Sequence, residues 1–192
     1  VIAGAPPFRT RPGGTGKAMP GVQVRIADPR PDTGVGEIQV RGPNVMSGYY
    51  NDEARTREVF TGDGWLRTGD LGTIDSKGRL SIRGRLKNMI LGASGENVYP
   101  EEIEAVINQS AWVEDSLVYS DGPSVIALVQ LKADLPAPAS PVAGLLEQIK
   151  EEVNRRLPGF SSVHRMELQS EPFERTPSQK IKRYLYPRRQ SG

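Results

Sequence analysis

Trp65-Leu66-Arg67-Thr68-Gly69-Asp70-Leu71-Gly72, then Gly84-Arg85-Leu86-Lys87, then Gly95-Glu96-Asn97-Val98-Tyr99-Pro100-Glu101-Glu102-Ile103-Glu104: this stretch decides how the chain is read. It sets the Asp70 carboxylate, the Arg85 guanidinium and a flexible junction in a fixed order around Gly-rich turns. The texture of the sequence also changes within it. Upstream, Val22–Ile26 and Glu37–Arg41 alternate apolar and polar residues, the pattern of half-buried strands. Asp75-Ser76-Lys77-Gly78 joins Leu71–Ile74 to Leu80–Ile82 as a predicted hairpin, with Gly78 at positive φ. The one helix expected here runs from Asn51 to Phe60, capped by Asn51 with Glu53 in its first turn.

Downstream of Gly84-Arg85 the pattern turns to α+β. Pro100 at a first helical position, followed by Glu101 and Glu102, predicts a helix start favoured by the macrodipole. Ile103, Val106 and Ile107 give it an apolar face. Leu117–Tyr119 and Val125–Leu131 read as strands split by Asp121-Gly122-Pro123. Residues 134–141 read as a Pro/Ala linker. Ser140 is expected to cap a second helix bearing Leu145, Leu146, Ile149, Val153 and Leu157, stopped at Pro158-Gly159. Val163–Leu168 reads as a last strand. The boundary is expected between Arg85 and Asn88.

A chain of 192 residues holds one large domain or two small ones, and 36% hydrophobic residues suffice for a modest core. The 21 Gly and 16 Pro fit many turns and short strands. A net charge of +2 gives no bulk attraction for nucleic acid. The basic excess is local: Arg175, Lys180, Lys182, Arg183, Arg188 and Arg189 follow one another with no acid between. There is no Cys, so neither a disulfide nor a thiolate metal site exists. With His164 as the only His, a His-built metal site or a Ser-His-Asp triad needs a second chain. No apolar run approaches the ~20 residues of a membrane span and no signal peptide is visible, which makes the cytoplasm the default location. The chain opens on Val1 with no start signal for any element, and is expected to begin inside a longer one.

Four motifs invite a chemical reading. Gly13-Gly14-Thr15-Gly16-Lys17 fails as a phosphate loop: Arg11 stands where Gly is needed and Ala18 where Ser or Thr is needed. It reads as a Gly turn entering the Val22 strand. Asp70, after Gly69 at the end of an apolar-aromatic strand, has the reach to accept hydrogen bonds from two vicinal hydroxyls such as those of ribose, or simply to cap a turn. Arg85 and Lys87 beside Gly84 suit oxyanions or ribose oxygens at a movable boundary, or a solvated basic turn. Arg175-Thr176-Pro177-Ser178-Gln179-Lys180-Ile181-Lys182-Arg183 is a rigid turn delivering Lys180. Such a Lys neutralises charge growing on a phosphoryl group, or belongs to a basic surface tail for nucleic acid or anionic lipid.

Taken together these residues resemble the adenylate-forming superfamily of acyl-CoA synthetases, coumarate-type ligases, luciferases and peptide-synthetase adenylation domains. Gly36-Glu37-Ile38 through Gly48-Tyr49-Tyr50 is similar to the family's Gly-Glu-Leu…Gly-Tyr segment. Leu66–Leu71 matches its Arg-Thr-Gly-Asp-Leu motif, Gly84–Glu104 its hinge motif, and Thr176–Ile181 its C-terminal lysine motif. Two departures stand out: Gln179 replaces the usual Gly before the Lys, and Asn88 replaces an acid often found at the hinge. The segment Leu91–Ser94 also looks one residue longer than in the shorter family members.

The resemblance implies an α+β fold: a β-rich subdomain, the end of the large adenylation domain, over residues 1–86, then a small α+β lid over residues 87–192. It implies Asp70 and Arg85 as nucleotide-binding, Lys87 as hinge, Gly95 as CoA-binding and Lys180 as catalytic. No metal ligand is expected in this chain. ATP or AMP, Mg2+ and CoA would serve the intact enzyme, none of them tightly bound to this part alone. The implied partners are the N-terminal domain of the same polypeptide, a fatty acid and CoA, with a peripheral membrane contact left open and no nucleic acid. The family's phosphate loop and aromatic-Gly-x-Thr-Glu motif are not in this sequence. The implied function is the C-terminal part of a fatty acid–CoA ligase, inactive alone. The alternatives are part of a peptide-synthetase adenylation domain or acyl-AMP ligase, or a non-catalytic module with a basic tail.

Overall fold

The structure, a computed structural model, describes residues 2–4, 14–92, 95–133 and 141–186. Its fold is mixed α+β and divides into two compact units, Val1–Lys87 and Asn88–Gly192.

In the first unit, β1 (Ala3–Gly4), β2 (Gly16–Ala18), β3 (Gln23–Ala27), β4 (Gly36–Arg41), β5 (Leu66–Ile74) and β6 (Arg79–Arg85) form one antiparallel sheet. Its order is β1-β2-β6-β5-β4-β3. The period-two alternation buries Ile38 and Val40 of β4 with Leu80 of β6, and Val24 and Ile26 of β3 pack against them. The β5–β6 turn is closed by Asp75, whose carboxylate accepts the N–H groups of Lys77 and Arg79 at 2.9 Å each, with Gly78 at φ +73°.

Two expectations change here. The Gly-rich segment is not merely a turn into the next strand: Gly16–Ala18 is itself β2, paired between β1 and β6, and Thr15 Oγ1 donates to Leu80 O at 2.9 Å. Gly13 lies outside the described residues. Helix α1 (Glu53–Val59) is capped by Asp52, whose side chain accepts the Arg55 N–H, and not by Asn51. Asn51 instead sits at φ +50°, a conformation Asn tolerates better than most residues, and turns the chain into the helix.

In the second unit, β7 (Ile90–Leu91) and β8 (Asn97–Val98) make a small hairpin ahead of α2 (Pro100–Ile107). A three-stranded sheet follows, from β9 (Val113–Asp121), β10 (Ser124–Leu131) and β11 (Arg165–Leu168), ordered β11-β10-β9. β10 runs antiparallel to β9 and parallel to β11, and a parallel neighbour needs a crossover, supplied by α3 (Val142–Asn154). The cap position of α3 falls on Pro141, which brings no side-chain cap; Ser140 and the rest of the expected linker over 134–140 lie outside the described residues.

One face of this sheet carries Val118, Val125, Ala127 and Val129 against Ile103 and Ile107 of α2 and Leu145, Leu146, Ile149 and Val153 of α3. The other face buries Leu117, Leu128 and Phe173, with Tyr119, Ile181 and Tyr186 packed on them. β10 is therefore covered on both sides, which is why Val125–Val129 reads as an unbroken apolar run. The cover on the second face is the C-terminal arm, fixed by the edge-on contact of Phe173 and Tyr186 with ring centroids 5.1 Å apart. His164 is structural: its Nδ1 accepts the Val125 N–H at 3.1 Å.

Candidate functional site

Asp70 does not end a strand. It lies within β5, on a bulge. Glu37 of β4 faces Leu71, yet Gln39 faces Arg67, so β5 carries two extra residues in this interval. Gly69 takes φ +69° there, a conformation that favours glycine. Thr68 Oγ1 replaces the interrupted ladder: it donates to Ile38 O at 2.7 Å and accepts the Asp70 N–H at 3.1 Å. Bulges re-aim side chains, and this one points Asp70 at its cross-strand partner Arg85. Arg85 Nε stands 2.8 Å from Asp70 Oδ1, with the two side chains 44% and 27% exposed. A pair this open adds under ~1 kcal/mol to stability. The arrangement costs little to rearrange around a polar ligand.

Lys87 lies in a single 3-10 turn, Leu86–Asn88, at the end of the first unit, and is exposed. Next to it Asn88 Nδ2 donates to Glu101 Oε1 at 2.6 Å, across the start of α2. That bond explains the missing acid: an Asp at 88 would set a carboxylate against Glu101. Gly95 is exposed at φ +87° in the β7–β8 turn, its N–H donating to Gly92 O at 3.0 Å. Ala93 and Ser94 of the same turn lie outside the described residues.

Lys180 stands on a hairpin. Thr176 N–H donates to Lys180 O and Lys182 N–H to Glu174 O, both at 2.8 Å, with Arg175 bridged to Ile181 between them. The loop is Pro177-Ser178-Gln179, closed by Gln179 N–H to Thr176 O at 2.9 Å. Three-residue hairpin loops end on a left-handed residue, and Gln179 fills that place at φ +62°. Thr176 Oγ1 then accepts the Lys180 N–H at 3.2 Å.

The basic run looks uniform in sequence and is not so in space. Arg175 pairs with Asp115, Lys182 with Glu174 and Arg183 with Glu104. Lys180 is exposed and, among the described residues, pairs with no acid. Arg188 and Arg189 lie outside the described residues.

Glu104 is the most perturbed acid described. Burial pushes its carboxyl up to about 7, against the pull of Arg183 and the Val118 N–H, with Glu101 nearby adding to the rise. Its Oε1 accepts Val118 N–H at 2.6 Å and an Arg183 guanidinium N–H. Arg183 Nη1 also donates to Val118 O at 3.1 Å.

Sequence reasoning thus named Thr68, Thr176, Arg183 and Glu104 within their motifs without giving any of them a structural contact, and did not single out Asp115. The signal for Glu104 was present: one turn from the buried Pro100 and Ile107, it puts a charge on the stripe that faces the core. Of the five candidates, the structure brings Asp70 and Arg85 together. Lys87 ends the same unit, while Gly95 and Lys180 occupy separate turns of the second. Among the described residues no group of three or more His, Asp or Glu gathers to hold a metal ion, and no helix is long and apolar enough to cross a membrane.

Residues 2–50 match the AMP-binding enzymes, and residues 87–188, more than half of the chain, match the AMP-binding enzyme C-terminal domain. The chain belongs to the AMP-binding enzyme family. A CoA ligase of Rhodococcus jostii, named for a methyl-dioxo-octahydroindenyl propanoyl group, is 45% identical over 104 residues, 54% of this chain and 19% of the relative. A long-chain fatty acid–CoA ligase of Rattus norvegicus is 37% identical over 152 residues, 78% of this chain and 21% of the relative. The structure of ATP-bound MatB from Rhodopseudomonas palustris superposes with a TM-score of 0.77 at 29% identity, over 94% of this chain and 36% of that one. The chain therefore spans about a fifth of the length of the curated relatives it matches. Within this AMP-binding enzyme chain, the left-handed φ of Gln179 gives a physical reason for the glycine that the lysine motif usually carries there.

Proposed function

We propose that this chain is the C-terminal portion of an acyl-CoA synthetase. The reaction joins a fatty acid of medium or long chain to CoA: ATP and the acid give acyl-AMP and pyrophosphate, and the CoA thiol then displaces AMP. Asp70, held by Arg85, binds the ribose hydroxyls, and Arg85 also meets the phosphate side of the nucleotide. Lys87 is the hinge position, Gly95 and the strand after it line the path of the CoA arm, and Lys180 stabilises the charge that grows on the α-phosphate. The chain offers Mg2+ no ligand set among its described residues, so no step is assigned to that ion on this chain.

The observation that carries this reading is the treatment of the basic run. A surface tail for lipid or nucleic acid needs several free cations. Among the described residues of the run, Arg175, Lys182 and Arg183 are each paired with an acid, and Lys180 is the one presented without such a partner, on a tight turn. One isolated cation suits one phosphoryl group. The choice of a fatty acid leans on the rat relative, whose printed name is a long-chain fatty acid–CoA ligase.

The test uses the full-length enzyme carrying this chain. Lys180→Ala is expected to lower ATP–pyrophosphate exchange by about 10²–10³, the loss typical of removing one oxyanion-stabilising donor. Thioester formation from preformed acyl-AMP should change by less than about threefold. Equal loss in both steps would remove the role given to Lys180. The 192-residue chain by itself is expected to give no exchange signal at all.

A further inference from the structure

We propose that Arg183 and Glu104 are positioning residues that fix where the Lys180 hairpin stands on the open edge of β9. The inference rests on the role given to Lys180 under the proposed function.

β9 is an edge strand, paired on one side with β10 only. In antiparallel pairing, alternate residues turn both main-chain groups away from the partner strand. Val118 is such a residue, and the open edge leaves its N–H and C=O to find other partners. Glu104 and Arg183 supply them: Glu104 Oε1 takes the N–H at 2.6 Å, and Arg183 Nη1 donates to the C=O at 3.1 Å. Arg183 Nη2 closes the ring by donating to the same Glu104 oxygen. Three elements meet in this ring: α2, β9 and the C-terminal arm three residues beyond Lys180. The guanidinium is 24% exposed and the carboxylate 14%, so water competes little for either.

The other stem of the hairpin has its own anchor on the same strand. Arg175 pairs with Asp115 and donates to Gln179 O at 2.9 Å. Asp115 and Val118 lie roughly 10 Å apart along β9 at the usual rise per residue. The hairpin is thus mounted at two points, one on each side of Lys180. Arg183 holds the more buried of the two. Lysine cannot replace it, because only a planar fork reaches the Val118 carbonyl and the Glu104 carboxylate together.

The test is made in the full-length enzyme with Arg183→Lys, which keeps the charge and removes the fork. The turnover of acyl-adenylate formation is expected to drop about tenfold to a hundredfold, the scale of a small misplacement of a catalytic group. KM for ATP and thioester formation from acyl-AMP should each stay within about threefold. In a Lys180→Ala background the same substitution should cost less than about twofold further, because the group it positions is gone. Peptide-resolved hydrogen exchange should show the Thr176–Ile181 amides opening at least about tenfold faster in Arg183→Lys, with the α2 amides unchanged.

Unchanged exchange in the hairpin overturns the inference, as does a full additive loss in the Lys180→Ala background or an equal loss in both half-reactions. Should Arg183→Lys unfold the unit, the paired neutral variant Glu104→Gln with Arg183→Gln, which leaves no buried charge, answers the same exchange question. If Lys180→Ala leaves adenylation intact while hairpin exchange still responds to Arg183→Lys, the proposed function fails and the mount stands.

Discussion

The bulge that carries Asp70 and the hairpin that carries Lys180 are built on one local plan. In each a left-handed residue immediately precedes the charged one, Gly69 at φ +69° and Gln179 at φ +62°. In each a threonine hydroxyl accepts the charged residue's N–H, Thr68 at 3.1 Å and Thr176 at 3.2 Å. They differ in what happens to the charge. Asp70 faces Arg85 across the neighbouring strand, whereas Lys180 pairs with no acid among the described residues, and Asp115, Glu174 and Glu104 are held by Arg175, Lys182 and Arg183. The same backbone device therefore makes a charge that waits in a pair and a charge that waits alone. A paired group suits standing recognition of a ligand, and an unpaired one suits charge that appears only during reaction.

The largest expected effect separates these roles kinetically in the full-length enzyme. Asp70→Asn should raise KM for ATP about tenfold to a hundredfold while leaving turnover within about threefold, because a binding contact is lost in ground and transition states alike. Lys180→Ala should do the reverse. Steady-state adenylation kinetics on both variants check this, and the same KM–turnover pattern in both would break the comparison.

A second difference lies in what supports each turn. The bulge rests on the Thr68 hydroxyl, the Ile38 carbonyl and Glu37 Oε1, which accepts the Gly69 N–H at 3.3 Å, while the hairpin rests on the largely buried and strongly perturbed Glu104. That carboxyl is held up at about 7 in the folded unit against 4.5 for the ordinary group. A raised folded pKa means that the folded state takes up the proton first. The stability it contributes is fully present below about 4.5 and is lost as pH rises through about 7. The groups facing it are Arg183 from the arm, Glu101 on its own helix and the Val118 N–H of β9. The melting temperature of the second unit should fall by several degrees from about pH 5 to about pH 8, and Glu104→Gln should flatten that slope. A wild-type slope that survives in Glu104→Gln would assign it to another group.

Much of the frame was legible because it depends on local periodicity. The β5–β6 turn with Gly78 left-handed, the Pro100 helix start and the apolar stripe of α3 all follow from spacing and turn chemistry. The candidate site residues stand in plain view as well, since Thr-Gly-Asp and the basic run are contiguous. Their geometry does not. The bulge at Asp70 depends on a register shift against β4, which no short window contains. The partner of Arg183 lies 79 residues away, so the described part of a run that looks uniformly basic in sequence becomes three ion pairs and one unpaired lysine only once the sheet has formed. The cap of α1 slipped by one residue for a local reason: Asn51 and Asp52 both cap well, and the left-handed turn takes the Asn.

Glycine exchange tests the shared plan directly, and Gly69→Ala has the larger effect. No atom lies within 4 Å of where its Cβ would stand, so the cost is the left-handed backbone alone, about 1–2 kcal/mol. Denaturant unfolding should show that loss, and an unchanged midpoint would mean that the bulge relaxes to another φ.

The smallest expected effect is the inverse change at the hairpin. Gln179 already pays the left-handed strain that Gly69 avoids, and Gln179→Gly should return up to about 1 kcal/mol of it. The gain is partly cancelled, because glycine also loses more backbone freedom on folding. The Gln179 carbonyl, which accepts from Arg175 at 2.9 Å, is a main-chain group and survives the exchange, so the mount on β9 is kept. The net change in unfolding free energy should therefore be a small stabilisation, below about 1 kcal/mol. Destabilisation in Gln179→Gly would show that its side chain, rather than its backbone conformation, holds the loop, and the likeness between the two turns would then end at their threonines.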